Sequence, residues 1–136
     1  MFDARLRELH LGAWQGLTGQ EAREQFSVEH AAWRAGQDVP RGGGETYLQA
    51  GERAAACVRE HLPADGTLVA VTHGGTARAA LGVLLELPQE TWVRLAPLGN
   101  ACWSVLVEGD AGWRLERHGV GVDLGAAAQG ADDGPL

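Results

Sequence analysis

Two of the five histidines in the chain stand directly before a glycine: His73 in "TLVAVTHGGTARAAL" and His118 in "WRLERHGVGVDL". A histidine nitrogen can attack a substrate or exchange a proton with it. A following glycine lets a ligand approach the backbone closely. Both histidines are therefore candidates for catalysis.

His73 follows a continuous apolar run and precedes a helical pattern, which predicts a strand, a turn and a helix. Open α/β sheets bind their ligands at such places, where a strand ends and a helix begins. The helix N-terminus offers free N–H groups and a positive dipole end, which favour a phosphate. A structural histidine that caps the turn explains this segment equally well, so other residues must decide.

His118 lies in the alternating segment "GWRLERHG", which predicts a hairpin strand. Alternation puts His118 on the same face as the charged side chains of Arg114 and Glu116. We therefore interpret the triplet 117–119 as the polar end of a closing strand and not as a catalytic motif.

The stretch "LRELHLGAWQG" offers a candidate acid in Glu8, and its glycines predict an irregular loop in place of a helix. A single carboxylate in such a loop is usually a solvated surface group. Glu8 becomes a candidate general acid only in combination with a phosphate site elsewhere in the fold. His10 and Trp14 share the loop with it.

Helices and a hairpin are predicted around these residues. Thr18 with Glu21 three positions later forms the sequence pattern of a capping box at a helix start. The turn "GDAG" separates two alternating stretches and predicts a hairpin. The predicted elements are helices over 17–26, 27–36, 45–62 and 76–87, a buried strand over 67–72, and a hairpin over 100–119.

Composition excludes several classes of protein. The chain has 18 acidic residues against 11 basic ones and a net charge of −7, which argues against nucleic-acid or membrane binding through a broad basic face. Its first residues lack a signal-peptide pattern and no run is long enough to span a membrane, so we expect a cytoplasmic protein. We expect a single domain over 1–124 and a disordered tail over 125–136.

Cys57 and Cys102 stand singly in apolar stretches and form no CxxC pair. Free buried thiols are therefore expected in preference to a disulfide, a zinc site or a nucleophile. We expect neither a metal nor a cofactor.

Four motifs occur in the order and with the spacing of one family. The chain resembles the histidine phosphatase superfamily, which includes the cofactor-dependent phosphoglycerate mutases, over about residues 5–108. The residues that carry the resemblance are Glu8, Glu45 with Arg53, His73 with Arg78, and Asn100.

The resemblance implies roles for several of these residues. Glu8 matches the family's general acid or base, His73 its second active-site histidine, and Gly74 a backbone donor beside the phosphate. His10 and Trp14 are candidate substrate-binding residues because they lie in the Glu8 loop. The family transfers a phosphoryl group to a histidine nitrogen and then to water or a hydroxyl, without a metal.

The family's nucleophilic histidine lies in an Arg-His-Gly motif after its first strand, and this chain resembles only the part of the family that follows. The implied fold is α/β: a partial, three-layer phosphoglycerate mutase-like fold with a mostly parallel sheet, flanking helices and a C-terminal hairpin, the first strands being missing. An unpaired sheet edge beside 67–72 would then invite another strand.

The implied activity is that of a phosphatase on small phosphate monoesters, impaired because the nucleophile is absent. A phosphatase is favoured over a mutase because the connection between Glu8 and Glu45 has no long insertion. The alternative is a non-catalytic phosphate-binding or assembly module. Such a module would pair with another chain, as a homodimer or with a complementing N-terminal fragment.

Overall fold

The computed structural model describes residues 1–121. The predicted tail over 125–136 and the end of the predicted domain at 124 lie outside the described residues. The described elements are helices α1 (Gly19–Gln25), α2 (Ser27–Arg34), α3 (Tyr47–His61) and α4 (Gly74–Leu84), strands β1 (Cys102–Gly109) and β2 (Gly112–Gly121), and 3₁₀ turns over Ala4–Leu6, Gly12–Trp14, Arg41–Gly43 and Gln89–Arg94.

Local sequence signals set the helix starts. The Glu21 N–H donates to the Thr18 hydroxyl, and the Glu21 carboxylate accepts from the Thr18 N–H, which confirms the predicted capping box of α1. Thr46 and Gln49 form a second capping box at the start of α3. Each box satisfies helix N–H groups that would otherwise lack a partner.

Helices α3 and α4 pack closely because small residues face each other. A Cβ atom on Gly51 would lie 2.7 Å from the carbonyl oxygen of Ala79, so no larger residue fits between the two helices. One turn further along α4, the indole of Trp92 lies directly on Gly82. The core thus forms where the helices meet the loop that carries Leu9.

The hairpin forms as predicted. Strand β1 pairs with β2 in antiparallel register, with Leu106 opposite Leu115 and Gly109 opposite Gly112 at the turn. The register shifts where Trp103–Leu106 of β1 face Leu115–Val120 of β2, which indicates a bulge in β2.

The predicted parallel sheet is not confirmed. Within residues 1–121 the sheet consists of the two antiparallel strands of the hairpin. The run 67–72, predicted as a buried strand, is not a strand here, and Val69 and Val71 are 79% and 82% exposed. An apolar β-branched run becomes a strand only when a neighbour pairs with its backbone, and no described segment does so.

No helix in the described residues is both long and apolar enough to cross a membrane.

Candidate functional site

The Glu8 carboxylate binds the N-terminus of α4. Its Oε1 accepts hydrogen bonds from the Thr76 N–H at 2.9 Å, the Thr76 hydroxyl at 3.0 Å and the Leu9 N–H at 2.9 Å. Its Oε2 accepts a longer bond from the Gly75 N–H at 3.3 Å. A carboxylate at a helix N-terminus is stabilised by the free N–H groups and by the helix dipole. Glu8 therefore caps the helix that begins directly after His73.

His73 is the N-cap residue of α4, but its side chain makes no capping hydrogen bond. The alternative of a structural histidine that caps the turn through its side chain is thus not what the structure contains. The His73 side chain is exposed, and among the described residues the Gly74 N–H donates to no protein group. The imidazole and this N–H are available to a ligand.

One cleft brings three of the five predicted site residues together. Its volume is about 910 Å³, and Glu8, His73 and Gly74 lie on its wall. Asn100, which the sequence motifs also singled out, lines the same cleft. The remaining walls come from α3, α4, the 67–72 segment and β1. The cleft combines a helix N-terminus, an exposed imidazole and a carboxylate, which is a set of groups able to bind an anion and move a proton.

Arg53 holds the Glu8 loop against α3. Its guanidinium donates to both carboxylate oxygens of Glu45 at 2.8 Å and to the backbone carbonyls of Arg5, Arg7 and Glu8. The Arg53 hydrogen bond holds the pKa of Glu45 below its usual range. The pair therefore positions the backbone of the acid.

His10 lies on the other side of the loop, away from the cleft lining. Its side chain is exposed, and its Nδ1 accepts a hydrogen bond from the Gly12 N–H at 3.3 Å. Its backbone N–H and carbonyl both bind Glu45, at 3.1 Å and 2.7 Å. These bonds give His10 a role in shaping the loop, and its ring is not among the residues that line the cleft.

Trp14 lies in the core and not on a pocket wall. Its side chain has no exposed surface and packs on Phe26, His30 and Trp33 with ring centroids 5.8–6.0 Å apart. An indole with no accessible surface has no face to offer a substrate. The large apolar area that an indole buries explains why the loop turns this residue inward.

His118 has a structural role. Its Nε2 lies 2.8 Å from the carbonyl oxygen of Ala96, and its Nδ1 lies 2.8 Å from the Ser104 hydroxyl. A carbonyl only accepts, so Nε2 carries the proton and Nδ1 accepts from the hydroxyl. With both nitrogens bonded, the ring ties β2 to β1 and to the preceding loop. His118 is half-buried, whereas Arg114 and Glu116 are exposed, so the predicted placement of these three side chains on one polar face is wrong. The register shift in β2 lies between Glu116 and His118 and accounts for the difference.

Sequence reasoning missed Thr76, whose hydroxyl donates to the Glu8 carboxylate or to the Arg7 carbonyl, at 3.0 Å and 2.8 Å. The sequence could have indicated this residue, because Thr76 lies three positions after the N-cap His73, where the backbone N–H of a helix has no partner within the helix.

Sequence reasoning also missed a cluster of Asp3, Cys57 and His61 on the far end of α3. The available signal was the spacing of Cys57 and His61, four residues apart on one helix face. Burial raises the pKa of the Cys57 thiol, which argues against a reactive nucleophile there.

The histidine phosphatase superfamily (branch 1) matches this chain over residues 1–121. The chain is 34% identical to a glucosyl-3-phosphoglycerate phosphatase of Mycolicibacterium vanbaalenii, in a match that covers 84% of this chain and 60% of the relative. It is 35% identical to the enzyme of the same name from Mycobacterium tuberculosis, with 76% and 51% covered. The chain thus spans between half and two thirds of the length of these relatives.

Solved structures give the same result. A mycobacterial glucosyl-3-phosphoglycerate phosphatase in complex with inorganic phosphate is 33% identical and superposes with a TM-score of 0.76, covering 88% of this chain and 64% of that one. A complex of that phosphatase with VO₃ has a TM-score of 0.75 at 34% identity, covering 87% and 62%. Sequence and fold agree, and the chain belongs to the histidine phosphatase superfamily.

Proposed function

We propose that this chain carries the acid and the phosphate-binding helix of a phosphatase site for small phosphate monoesters. The observation that carries the proposal is the contact of the Glu8 carboxylate with the N-terminus of α4, beside the exposed His73. Membership of a family whose matched relatives are phosphatases supports the same reaction.

In the proposed site, the phosphoryl oxygens lie against the His73 ring and the Gly74 N–H. A protonated imidazole and the positive end of the α4 dipole stabilise charge that develops on these oxygens during transfer. The roles of His10 and Trp14 in substrate binding are not part of the proposal, because neither side chain lines the cleft.

Glu8 protonates the leaving alkoxide. The N–H groups of Leu9 and Thr76 both donate to Oε1 at 2.9 Å, whereas Oε2 accepts one bond of 3.3 Å, so Oε2 is the oxygen available to carry the proton. Because Oε1 is fixed, the carboxyl group keeps one orientation while the proton moves.

We propose that the chain on its own turns over phosphoesters at or near the background rate. Within residues 1–121, His73 is the single histidine on the cleft wall, whereas the family's chemistry needs a nucleophilic histidine in addition. Loss of a covalent nucleophile costs on the order of a million-fold in other enzymes.

We propose a phosphatase and not a mutase. The matched relatives are phosphatases, and the connection between Glu8 and Glu45 contains only short helices and 3₁₀ turns. Glucosyl-3-phosphoglycerate is accordingly the substrate to test beside para-nitrophenyl phosphate, on the chain with a complementing N-terminal fragment added, because the chain alone is expected to act at the background rate. Release of inorganic phosphate is the measurement. Transfer of the phosphoryl group to a second sugar or glycerate hydroxyl in place of release would contradict this assignment.

The test uses binding as well as turnover. We expect inorganic phosphate to bind the full chain and His73→Ala to weaken this binding by about tenfold or more, because a charge-assisted hydrogen bond is lost. His118→Ala is the matched control, since both ring nitrogens of His118 are bonded elsewhere. Robust phosphatase activity that survives His73→Ala would refute the site assignment.

A second candidate function is that of an assembly module that pairs with another chain. The backbone of the 67–72 segment makes no hydrogen bond to other described backbone groups, and Val69 and Val71 are exposed. An unpaired backbone segment with exposed apolar side chains is a template for an added strand. We propose that a strand of a second copy, or of a complementing fragment, pairs there.

Light scattering of the full chain tests this pairing. We expect an assembly larger than one chain, which Val71→Lys shifts toward the monomer. Val28→Lys is the matched control, because Val28 is 84% exposed on α2, away from the cleft. A monodisperse monomer with a cooperative thermal transition would count against pairing between copies. Addition of a separately expressed N-terminal fragment then tests the complementing partner.

A further inference from the structure

Three ligand-type side chains meet at the end of α3 that lies away from the phosphate site. The side-chain ligand atoms of Asp3, Cys57 and His61 all lie within 4.8 Å of one another. Cys57 and His61 are one helical turn apart on α3, so their side chains point the same way. Asp3 reaches them from the N-terminal segment. Cys57 is 3% exposed, so a metal bound there is shielded from water on the thiol side.

We propose that Asp3, Cys57 and His61 bind one Zn²⁺ ion, with a water molecule as the fourth ligand. Zinc prefers thiolate, imidazole and carboxylate ligands in a tetrahedron, with bonds of about 2.0–2.3 Å. Ligand atoms of such a tetrahedron lie roughly 3.3–3.8 Å apart, a distance that follows from these bond lengths. His61 Nε2 and Asp3 Oδ2 are already 3.5 Å apart. Rotation of the side chains can bring the other ligand atoms, now within 4.8 Å of one another, to such distances.

Arg5 is the group that competes with the metal. Its Nε and one NH₂ donate to the Asp3 carboxylate, while the other NH₂ donates to Glu60 at 2.7 Å. The side chain is a third exposed, so the guanidinium can shift onto Glu60 and leave Asp3 Oδ2 to the metal. Asp3 Oδ1 keeps its bond from the Arg5 N–H at 2.8 Å.

Charge balance supports a divalent ion. Binding breaks the Cys57 S–H bond, forms a sulfur–zinc bond and releases the proton to solvent. The thiolate, Asp3 and Glu60 then carry three negative charges, and the ion and Arg5 carry three positive charges. The cluster is neutral with Zn²⁺ bound, so the metal neutralises the thiolate that its binding creates.

The bound metal fastens the N-terminal segment to α3. Asp3 lies five residues before Glu8, and Arg53, one turn before Cys57, already binds the carbonyls of Arg5 and Glu8. The Zn²⁺ ion adds a second fixed point to this segment. It stabilises the fold around the acid and takes no part in phosphoryl transfer.

The test is a titration of the full chain with Co²⁺, followed by Zn²⁺. We expect one Co²⁺ per chain with a thiolate-to-cobalt charge-transfer band, displacement of the cobalt by Zn²⁺, and a rise of the melting temperature with Zn²⁺. Cys57→Ala and His61→Ala should each weaken binding by at least about tenfold and abolish the rise in melting temperature. Cys102→Ala is the matched control and should leave both the metal affinity and the rise in melting temperature unchanged.

Each other outcome contradicts the proposal. A thiolate band that persists in Cys57→Ala, or that disappears in Cys102→Ala, would assign the metal to another site. Absence of the band from the native chain, or a melting temperature unaffected by Zn²⁺, would remove the site altogether. If Cys57→Ala does not fold, Cys57→Ser and His61→Gln give the same comparison with less change in volume.

Discussion

Arg53→Ala is the substitution that most directly tests how the fold holds the acid. In the native chain the Arg53 guanidinium makes five hydrogen bonds: two to Glu45 and three to the carbonyls of Arg5, Arg7 and Glu8. The side chains of Arg53 and Glu45 are 13% and 16% exposed. The substitution leaves three carbonyls and a largely buried carboxylate with fewer donors.

The expected cost follows from these bonds. Each hydrogen bond contributes about 0.5–1.5 kcal/mol net, and removal of one partner of a buried ion pair costs about 3–5 kcal/mol. We therefore expect Arg53→Ala to lower the free energy of unfolding by about 3–5 kcal/mol. Glu45 keeps its bonds from the Arg7 side chain and the His10 N–H, which limits the loss. Arg53→Lys keeps the charge but lacks the planar guanidinium with its several donors, so its stability should lie between those of the native chain and the alanine variant.

The matched control is Arg7→Ala. Arg7 pairs with the same carboxylate at 2.6 Å, but its side chain is 52% exposed. An exposed ion pair contributes about 0–1 kcal/mol, so this variant should lose less than about 1 kcal/mol. Urea unfolding at pH 7 measures the free energy of unfolding of both variants. Equal losses for Arg7→Ala and Arg53→Ala, or a loss below about 1 kcal/mol for Arg53→Ala, would refute the reasoning.

Two further predictions concern packing and pH. Gly82→Ala should lower the free energy of unfolding in urea by about 1–3 kcal/mol, because the new Cβ overlaps the buried Trp92 indole. The control is Gly19→Ala, which has no atom within 4 Å of its Cβ and should be neutral or stabilising. Similar losses of stability for both variants would contradict this reasoning. The Arg53 hydrogen bond lowers the pKa of Glu45 in the folded state. The ionised carboxylate therefore stabilises the fold fully above the unfolded pKa of about 4.3. This stabilisation is lost as the pH falls through the lower pKa of the folded state. The stability difference between the native chain and Arg53→Ala should therefore narrow between pH 6 and pH 3 in thermal melts, and a difference independent of pH would count against the pair.

Signals confined to a few neighbouring residues predicted the local structure correctly. The capping box of Thr18 and Glu21, the helices and the hairpin turn all formed, because their hydrogen bonds join residues close in sequence. The strand over 67–72 was predicted from the same kind of pattern but did not form. A strand takes its hydrogen bonds from another segment, and residue type alone does not supply that partner.

The sequence by itself determined which groups could do chemistry: a carboxylate at Glu8 and an imidazole before two glycines at His73. Only the tertiary structure decided that Glu8 meets the start of α4, a contact between residues 68 positions apart. It also decided that Trp14 is buried and that Asp3 joins Cys57. The physical reason is the same in each case. Packing of apolar area and pairing of buried polar groups depend on which distant segments meet, and a pattern within one segment does not contain that information.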